Sequence, residues 1–327
     1  MPGIRLAELA EGWNIETGIG ESRAVLVEGG AIVEALIELD GAVPAGTVIA
    51  ATLISIGIYG RNAVARDENG QEYLLPYAPK GISEGRALSV EVTRSAFPGS
   101  EPWKRPLARV SELPPAPFPP LVDRLGGRLV SFPAPTDELE RYGWSDLLEE
   151  ARSGTVAFAG GSLRISPTPA MTLIDVDGTL PPEELALRGA AVAASAIRRL
   201  GIAGSIGIDL PTVQGKAARL AQDAAIDAAL PRPFERTGVN GFGFVQIIRP
   251  RRGPSLVELA QERQSFEARA LLRRAARSTG AIRLAAHPAV IAAILPGWTE
   301  TLARQVGGAV RLRGDPALAM SGGHVEP

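Results

Sequence analysis

Three aspartates stand where they could share one ion. Asp175 closes an apolar run, Asp177 follows two residues later, and Asp209 closes the next apolar run after an intervening segment of helical length. In a strand–helix–strand unit the two strands run parallel, so Asp175 and Asp209 emerge at the same carboxyl edge of the sheet. Asp177 shares the face of Asp175, because side chains alternate along a strand. Carboxylates packed together need a compensating cation, and an all-oxygen donor set suits Mg²⁺. The competing reading is structural: strands often end in Asp because it opens turns and caps the following helix. Spacing alone leaves both open.

The composition narrows the chemistry further. The 327 residues contain no cysteine and two histidines, His287 and His324. Thiol catalysis, Cys-ligated zinc and a disulfide framework are thereby excluded, and serine triads and histidine-rich metal sites are disfavoured. Charge sums to -2, from 34 basic and 36 acidic residues, so there is no global polycation signature for nucleic acid or membrane. Local cationic clusters must carry any such contact. Lys104 and Arg105 beside Trp103 form one, and Arg249, Arg251 and Arg252 form another. Arg269, Arg273 and Arg277 recur every four residues and read as a solvated helix face pairing with Glu262 or Glu267. His287, just before Pro288, reads as the start of a helix.

The elements that must position these groups fall into blocks. Residues 23–28 and 32–38 flank Gly29-Gly30 as a hairpin, and residues 47–58, 62–66, 72–75 and 87–94 read as further strands. So many short strands suggest a small barrel of the OB type. Five prolines between residues 114 and 120 then make a stiff linker. Beyond it come a hairpin around Gly160-Gly161, a strand at 171–176, a helix at 183–200 stopped by Gly201, a strand at 205–210, a helix at 214–230 and a strand at 241–249. Strands alternating with helices imply a layered α/β domain. A long helix from Ser255, strands at 281–285 and 309–312 and two short helices form a last module. Residues 41–60 carry no charge, but Pro44, four glycines and β-branched residues favour a turn and a buried strand over a membrane span. Residues 1–13 carry acids and no long apolar core, unlike a signal peptide. The expected protein is cytoplasmic, with no membrane contact.

Two families share pieces of this pattern. Thr172-Leu173-Ile174-Asp175-Val176-Asp177-Gly178-Thr179-Leu180 is similar to the first motif of haloacid dehalogenase-like phosphatases, which implies Asp175 as nucleophile and Asp177 as general acid. That family's downstream partners are missing: Ser205 begins its strand, Lys216 is the only later lysine, and Gly314-Asp315 lacks a second acid. A second resemblance runs nearly the whole length in order. Gly20 to Glu28, then Tyr73-Leu74-Leu75-Pro76 and Lys104-Arg105, resemble the front of ribonuclease E/G proteins. Gly160-Gly161-Ser162-Leu163 with Thr168 to Asp177 is similar to that family's approach to its first metal-binding Asp, and Ile206-Gly207-Ile208-Asp209 to its second. Phe242 to Gln246 with Arg249, Arg251, Pro254, Ser255 and Leu256, and Gly314-Asp315-Pro316 with His324-Val325-Glu326, are similar to its later segments.

The second resemblance implies an α/β multi-domain chain: an OB-like RNA-binding β-barrel with its N-terminal strands (1–112), a Pro-rich linker (113–120), an RNase H-like α/β catalytic domain with a mixed sheet (121–254) and a small α/β C-terminal module (255–327). It implies an Mg²⁺-dependent endoribonuclease that cuts single-stranded RNA by metal-activated water and leaves 5′-phosphate and 3′-hydroxyl ends. Asp175 and Asp209 would hold Mg²⁺, Asp177 would orient its water shell, and Lys104, Arg105, Arg249 and Arg251 would bind RNA. Asp177 stands where the family usually has Asn, Val64 and Leu74 stand at its aromatic stacking positions, residues 121–154 are short for its 5′-end sensor, and its zinc-linking cysteines are absent. A homo-oligomer would therefore form without a zinc link. The runner-up is an RNA-binding homologue with little or no nuclease activity, and the phosphatase stands third.

Overall fold

The computed structural model describes residues 10–97, 104–133 and 137–327. Trp103 lies outside them. Among the described residues the chain is a mixed α/β structure with a closed five-stranded barrel and three further sheets. Strands β1 (Gly12–Thr17), β2 (Glu21–Glu28) and β3 (Ala31–Leu39) form an antiparallel meander, and the β2–β3 hairpin turns at Gly29-Gly30 as its sequence demands. The barrel follows: β4 (Val48–Ser55), β5 (Arg61–Arg66), β6 (Glu72–Tyr77), β7 (Ala87–Arg94) and β8 (Leu107–Val110), closed in the order β4-β5-β6-β8-β7 around Leu53, Ala63, Tyr73, Leu75 and Val90. The Pro-rich stretch runs along its outside, where the Ala116 N–H donates to the Val48 carbonyl (3.3 Å).

After α1 (Leu121–Leu125), β9 (Arg128–Leu129) joins the first sheet beside β1. Helices α2 (Glu138–Arg141) and α3 (Trp144–Ser153) lead into β10 (Thr155–Phe158), β11 (Gly161–Pro167) and β12 (Thr172–Gly178). Then come α4 (Pro182–Arg199), β13 (Gly204–Asp209), α5 (Lys216–Ala229), β14 (Glu235–Arg236) and β15 (Phe244–Arg249), giving a six-stranded sheet ordered β10-β11-β12-β13-β15-β14. Only β12 and β13 are parallel; the other pairs are antiparallel, so the sheet is mixed. Pro182 at its first turn, Glu183 and Glu184 at its start, and Arg198 and Arg199 at its end suit α4 to its macrodipole. Its buried stripe is small: Gly189, Ala190, Ala193 and Ala194 let it lie close between the six-stranded sheet and β3.

Residues 12–39 therefore contribute to a different core from the barrel. Val25, Val27, Ala35 and Ile37 join the apolar cluster of α3, α4 and the six-stranded sheet, while the barrel keeps its own. The stretch read from sequence as one barrel unit divides because β2 and β3 are needed to cover α4. Helices α6 (Leu256–Leu259) and α7 (Arg263–Ala275), strands β16 (Ile282–Ala286), β17 (Val310–Gly314) and β18 (His324–Glu326), and helices α8 (Pro288–Ala292) and α9 (Pro296–Val306) complete the chain. His287 caps α8, its Nδ1 accepting from the Ala289 N–H (3.2 Å). No helix among the described residues is long and apolar enough to cross a membrane.

Helix α7 corrects one expectation. Arg269 and Arg273 are buried, and they face carboxylates far away in sequence and not Glu262 or Glu267. Glu16 on β1 accepts from Arg23 (2.8 Å), Arg273 (2.8 Å) and Arg277 (3.2 Å); Glu21 on β2 accepts from Arg23 (2.7 Å) and Arg269 (2.7 Å). Asp137, ahead of α2, takes a further bond from Arg273 (2.5 Å). Glu267 instead pairs with Arg152 of α3 (2.5 Å). Removing one partner from such a cluster leaves an uncompensated buried charge, which typically costs about 3–5 kcal/mol. Glu16→Gln should lower unfolding stability by about that amount, read from the urea midpoint, whereas Glu72→Gln on the barrel surface should cost at most ~1 kcal/mol.

Candidate active site

The register of the central strands decides where the aspartates go. Thr172, Ile174 and Val176 of β12 are buried against the helices, so Leu173, Asp175 and Asp177 point to the opposite, open face. The same alternation on β13 buries Ile206 and Ile208 and sends Asp209 outward. Asp175 pairs directly with Asp209 across the parallel ladder, which sets their α-carbons roughly 5 Å apart. Both stand at the carboxyl edge, with Asp177 one step further along the same face. Partial withdrawal from water, followed by the negative charges of Asp177 and Asp209, raises the Asp175 carboxyl above its ordinary value, while Arg164 acts in the opposite sense.

These carboxylates do not form a ready metal cage: among the described residues no three His, Cys, Asp or Glu side chains are grouped closely enough to hold an ion. The donor chemistry nonetheless fits Mg²⁺, which keeps several waters and commonly takes only one or two protein carboxylates. Asp175 and Asp209 are the pair that would hold it. Asp177 lies opposite Ser162 on β11.

The row across the open face contains residues that charge counting in the sequence overlooked. Arg164 on β11 pairs with Asp175, and Phe244 on β15 pairs with Asp209, so the order along the edge is Arg164, Asp175, Asp209, Phe244. The signal was available: folding the segment 161–178 about the turn at 168–171 sets Arg164 against Asp175. The loop after Asp209 leads to Lys216, the first residue of α5, at this same edge.

The four cationic candidates fall elsewhere. Arg249 ends β15 opposite Gly204, five residues from Phe244 and so roughly 17 Å along the strand from the Asp209 row. It also points to the helix-covered face, where its guanidinium donates to the carbonyls of Ile202 (2.9 Å) and Ile197 (3.4 Å) at the end of α4; burial lowers its pKa. Arg251 pairs with Glu258 and lies 3.7 Å from the centre of the Phe97 ring. Lys104 donates to the Pro169 carbonyl (3.4 Å), just ahead of β12. Arg105 pairs with Glu72 (2.7 Å), which Arg66 also holds, and the two guanidiniums keep that carboxyl below its ordinary value. The barrel thus meets the α/β layer at the edge opposite the aspartates. Val64 and Leu74 form a cross-strand pair on the barrel wall; among the described residues the barrel's most exposed aromatics are instead Tyr59 (99%) and Tyr77 (68%), the latter with the Arg61 guanidinium 5.8 Å from its ring centre.

No family model matches the chain, and no curated protein matches it.

The charge crowding has a thermodynamic consequence. Because the Asp175 pKa is raised on folding, the folded chain binds more protons than the unfolded one between the ordinary Asp pKa and the raised value, so stability from this group falls as pH rises through that window. Asp209→Asn removes one source of the repulsion. At pH 7 it should stabilise the fold by about 0.2–1 kcal/mol, the range for charge pairs in contact with solvent. The gain should shrink once acid protonates Asp175, as paired urea titrations at pH 7 and below the Asp175 transition would show. Millimolar Mg²⁺ should raise the melting temperature of the parent protein and not of Asp209→Asn.

Proposed function

We propose that the chain is an Mg²⁺-dependent endoribonuclease acting on single-stranded RNA, with an OB-like barrel as its RNA-binding module and an RNase H-like α/β layer as its catalytic one. The observation that carries the reading is the in-register pairing of Asp175 with Asp209 at the carboxyl edge of an uncovered sheet face. The ordered resemblance to ribonuclease E/G supplies the substrate class. Mg²⁺, when bound, neutralises charge on the phosphate and lowers the pKa of water, yielding 5′-phosphate and 3′-hydroxyl ends. Asp175 and Asp209 hold the ion, and Asp177 accepts hydrogen bonds from water at its edge. Arg164 stands beside Asp175 and counters part of the local negative charge, a position from which a guanidinium can meet a phosphate oxygen. With neither His287 nor His324 at this edge, acid–base work falls to water and carboxylates.

The RNA path follows from the same placements. Lys104 reaches Pro169 just ahead of β12 and Arg105 lies beside it on the barrel, whereas Arg249 and Arg251 hold helix α4 and Phe97. The reading therefore keeps Lys104 and Arg105 as phosphate contacts and assigns Arg249 and Arg251 to the scaffold. The alternative of an RNA-binding homologue without nuclease activity is favoured by one observation, the lack of a three-ligand cage among the described residues.

A fluorescent single-stranded RNA should be cut internally in Mg²⁺, and EDTA should abolish the cuts. Asp209→Asn should lose about 100-fold or more, equivalent to ~2.7 kcal/mol of barrel-independent transition-state stabilisation, while folding normally. Binding without any Mg²⁺-dependent cutting would establish the homologue instead. Lys104→Gln should reduce the slope of log affinity against log salt by about 0.7, the contribution of one phosphate on a single strand. Arg249→Gln should leave that slope unchanged and lower thermal stability, since its partners are helix carbonyls.

A further inference from the structure

Two residues before the Asp209–Phe244 pair, the chain holds Phe242 in solvent with 82% of its surface exposed. Lone exposed apolar side chains are ordinary on protein surfaces, but this one is mounted on a built loop. Asn240 Oδ1 accepts from the backbone N–H of both Phe242 (2.9 Å) and Phe244 (3.1 Å), and the Thr212 hydroxyl donates to the Phe242 carbonyl (3.1 Å). The Gly243 carbonyl accepts from the Leu210 N–H (3.1 Å), directly after Asp209. Gly243 has φ +88°, and a β-carbon there would collide with the Leu210 carbonyl, so a non-glycine residue would push the loop off the edge. Every bond in this set fixes Phe242 relative to the strand end that carries Asp209.

The strand that follows Phe242 adds an apolar floor on the open face. Phe244 lies over Gly207, where a β-carbon would stand 2.6 Å from its Cζ and 3.1 Å from Leu173 Cδ2. Leu173 (40% exposed) extends the floor beside the carboxylates. An aromatic on a braced loop, two residues from the register partner of Asp209, matches the needs of a nucleotide chain: charge chemistry at the phosphate, and a flat apolar face for the neighbouring base. Stacking requires no hydrogen-bond pattern, because every base presents a π-face.

Resting on the nuclease reading, we propose that Phe242 is a substrate-positioning residue that stacks a nucleobase adjacent to the scissile phosphate. Braced by Asn240 and Thr212, it sets the register in which single-stranded RNA lies over Asp175 and Asp209. Loss of the ring should weaken binding roughly tenfold, within the range for one base–aromatic stack, with the larger share of the catalytic loss in KM.

The test uses single-stranded RNA decamers in which 2-aminopurine is moved one position at a time. Fluorescence is read on binding in Ca²⁺, and cleavage positions are mapped in parallel in Mg²⁺. One position next to the cut should change its fluorescence on binding; Phe242→Ala should abolish that change and raise KM about tenfold, and Phe242→Trp should restore both. Cleavage with no Phe242-dependent position overturns the stacking assignment alone. A Phe242-dependent position without cleavage keeps the base stack and overturns the nuclease reading. Failure of the parent protein to bind any decamer overturns both, and an altered subunit count in Phe242→Ala with unchanged fluorescence assigns the ring to contact between copies of the chain and overturns the proposal.

Discussion

The buried ion cluster between the first hairpin and helix α7 is the constraint on which the arrangement of the modules depends. Glu16, Glu21, Arg23, Arg269 and Arg273 are all withdrawn from water. Each ion so placed carries a desolvation penalty of several kcal/mol, offset only when its hydrogen-bond partners are in place. The strand pair β1–β2, the lead into α2 and the whole of α7 must therefore reach their positions together. The Gly18–Gly20 turn tightens the fit, since a β-carbon on Gly18 would press on the Arg23 guanidinium and one on Gly20 on the Trp298 ring. Ordinary apolar packing tolerates small shifts; an acid–base alternation of this kind does not.

With the hairpin fixed, α4 has a sheet on each side, and among the described residues the six-stranded sheet has helices on one face only. That asymmetry determines what the other face can be. Alternation along β12 and β13 divides their residues into an apolar set under the helices and a set of Asp, Leu, Gly and Ser on the outside. The parallel step between β12 and β13 is the place in the sheet where neighbouring strands point their carboxyl ends to one edge, and their pairing stops at Asp175 and Asp209. Like charges crowded there oppose folding, a local loss that burial elsewhere in the layer must offset.

The sequence made the edge readable because it required only local information: an apolar run, a helix-length insert, another apolar run and Asp at each end. Helix α4 was legible for the same reason, from Pro182, its Ala-rich stripe and Gly201. What escaped was non-local or depended on parity. Arg269, Arg273 and Arg277 recur at helical spacing whether they face water or carboxylates some 250 residues away, and periodicity cannot tell these apart. Residues 12–39 adjoin the barrel in sequence but pack under α4. The charge of Arg249 suggests a surface contact, but its place five positions from Phe244, an odd step along the strand, turns it to the buried face. Phe242 looked like one apolar residue in a strand motif, and only the loop bonds distinguish it.

On the proposed reading, the placement of charge along the open face also orders events. The barrel approaches at the start of β12, where Lys104 reaches Pro169, and near the end of β15, where the Ser95 N–H donates to the Arg252 carbonyl (3.0 Å). The aspartates occupy the other end of those strands. A polyanion is therefore attracted to one edge and repelled from the other, and two like charges 4 Å apart at an effective dielectric of 20 oppose each other by about 4 kcal/mol before screening. Phosphate can settle over Asp175 and Asp209 only after a divalent cation has reversed the sign of the field there. Affinity is thus delegated to the barrel edge, independent of metal, and chemistry to the carboxyl edge, conditional on it. The apolar floor of Leu173 and Phe244 between them favours bases over phosphates, which keeps the backbone of a single strand turned toward the charged rims.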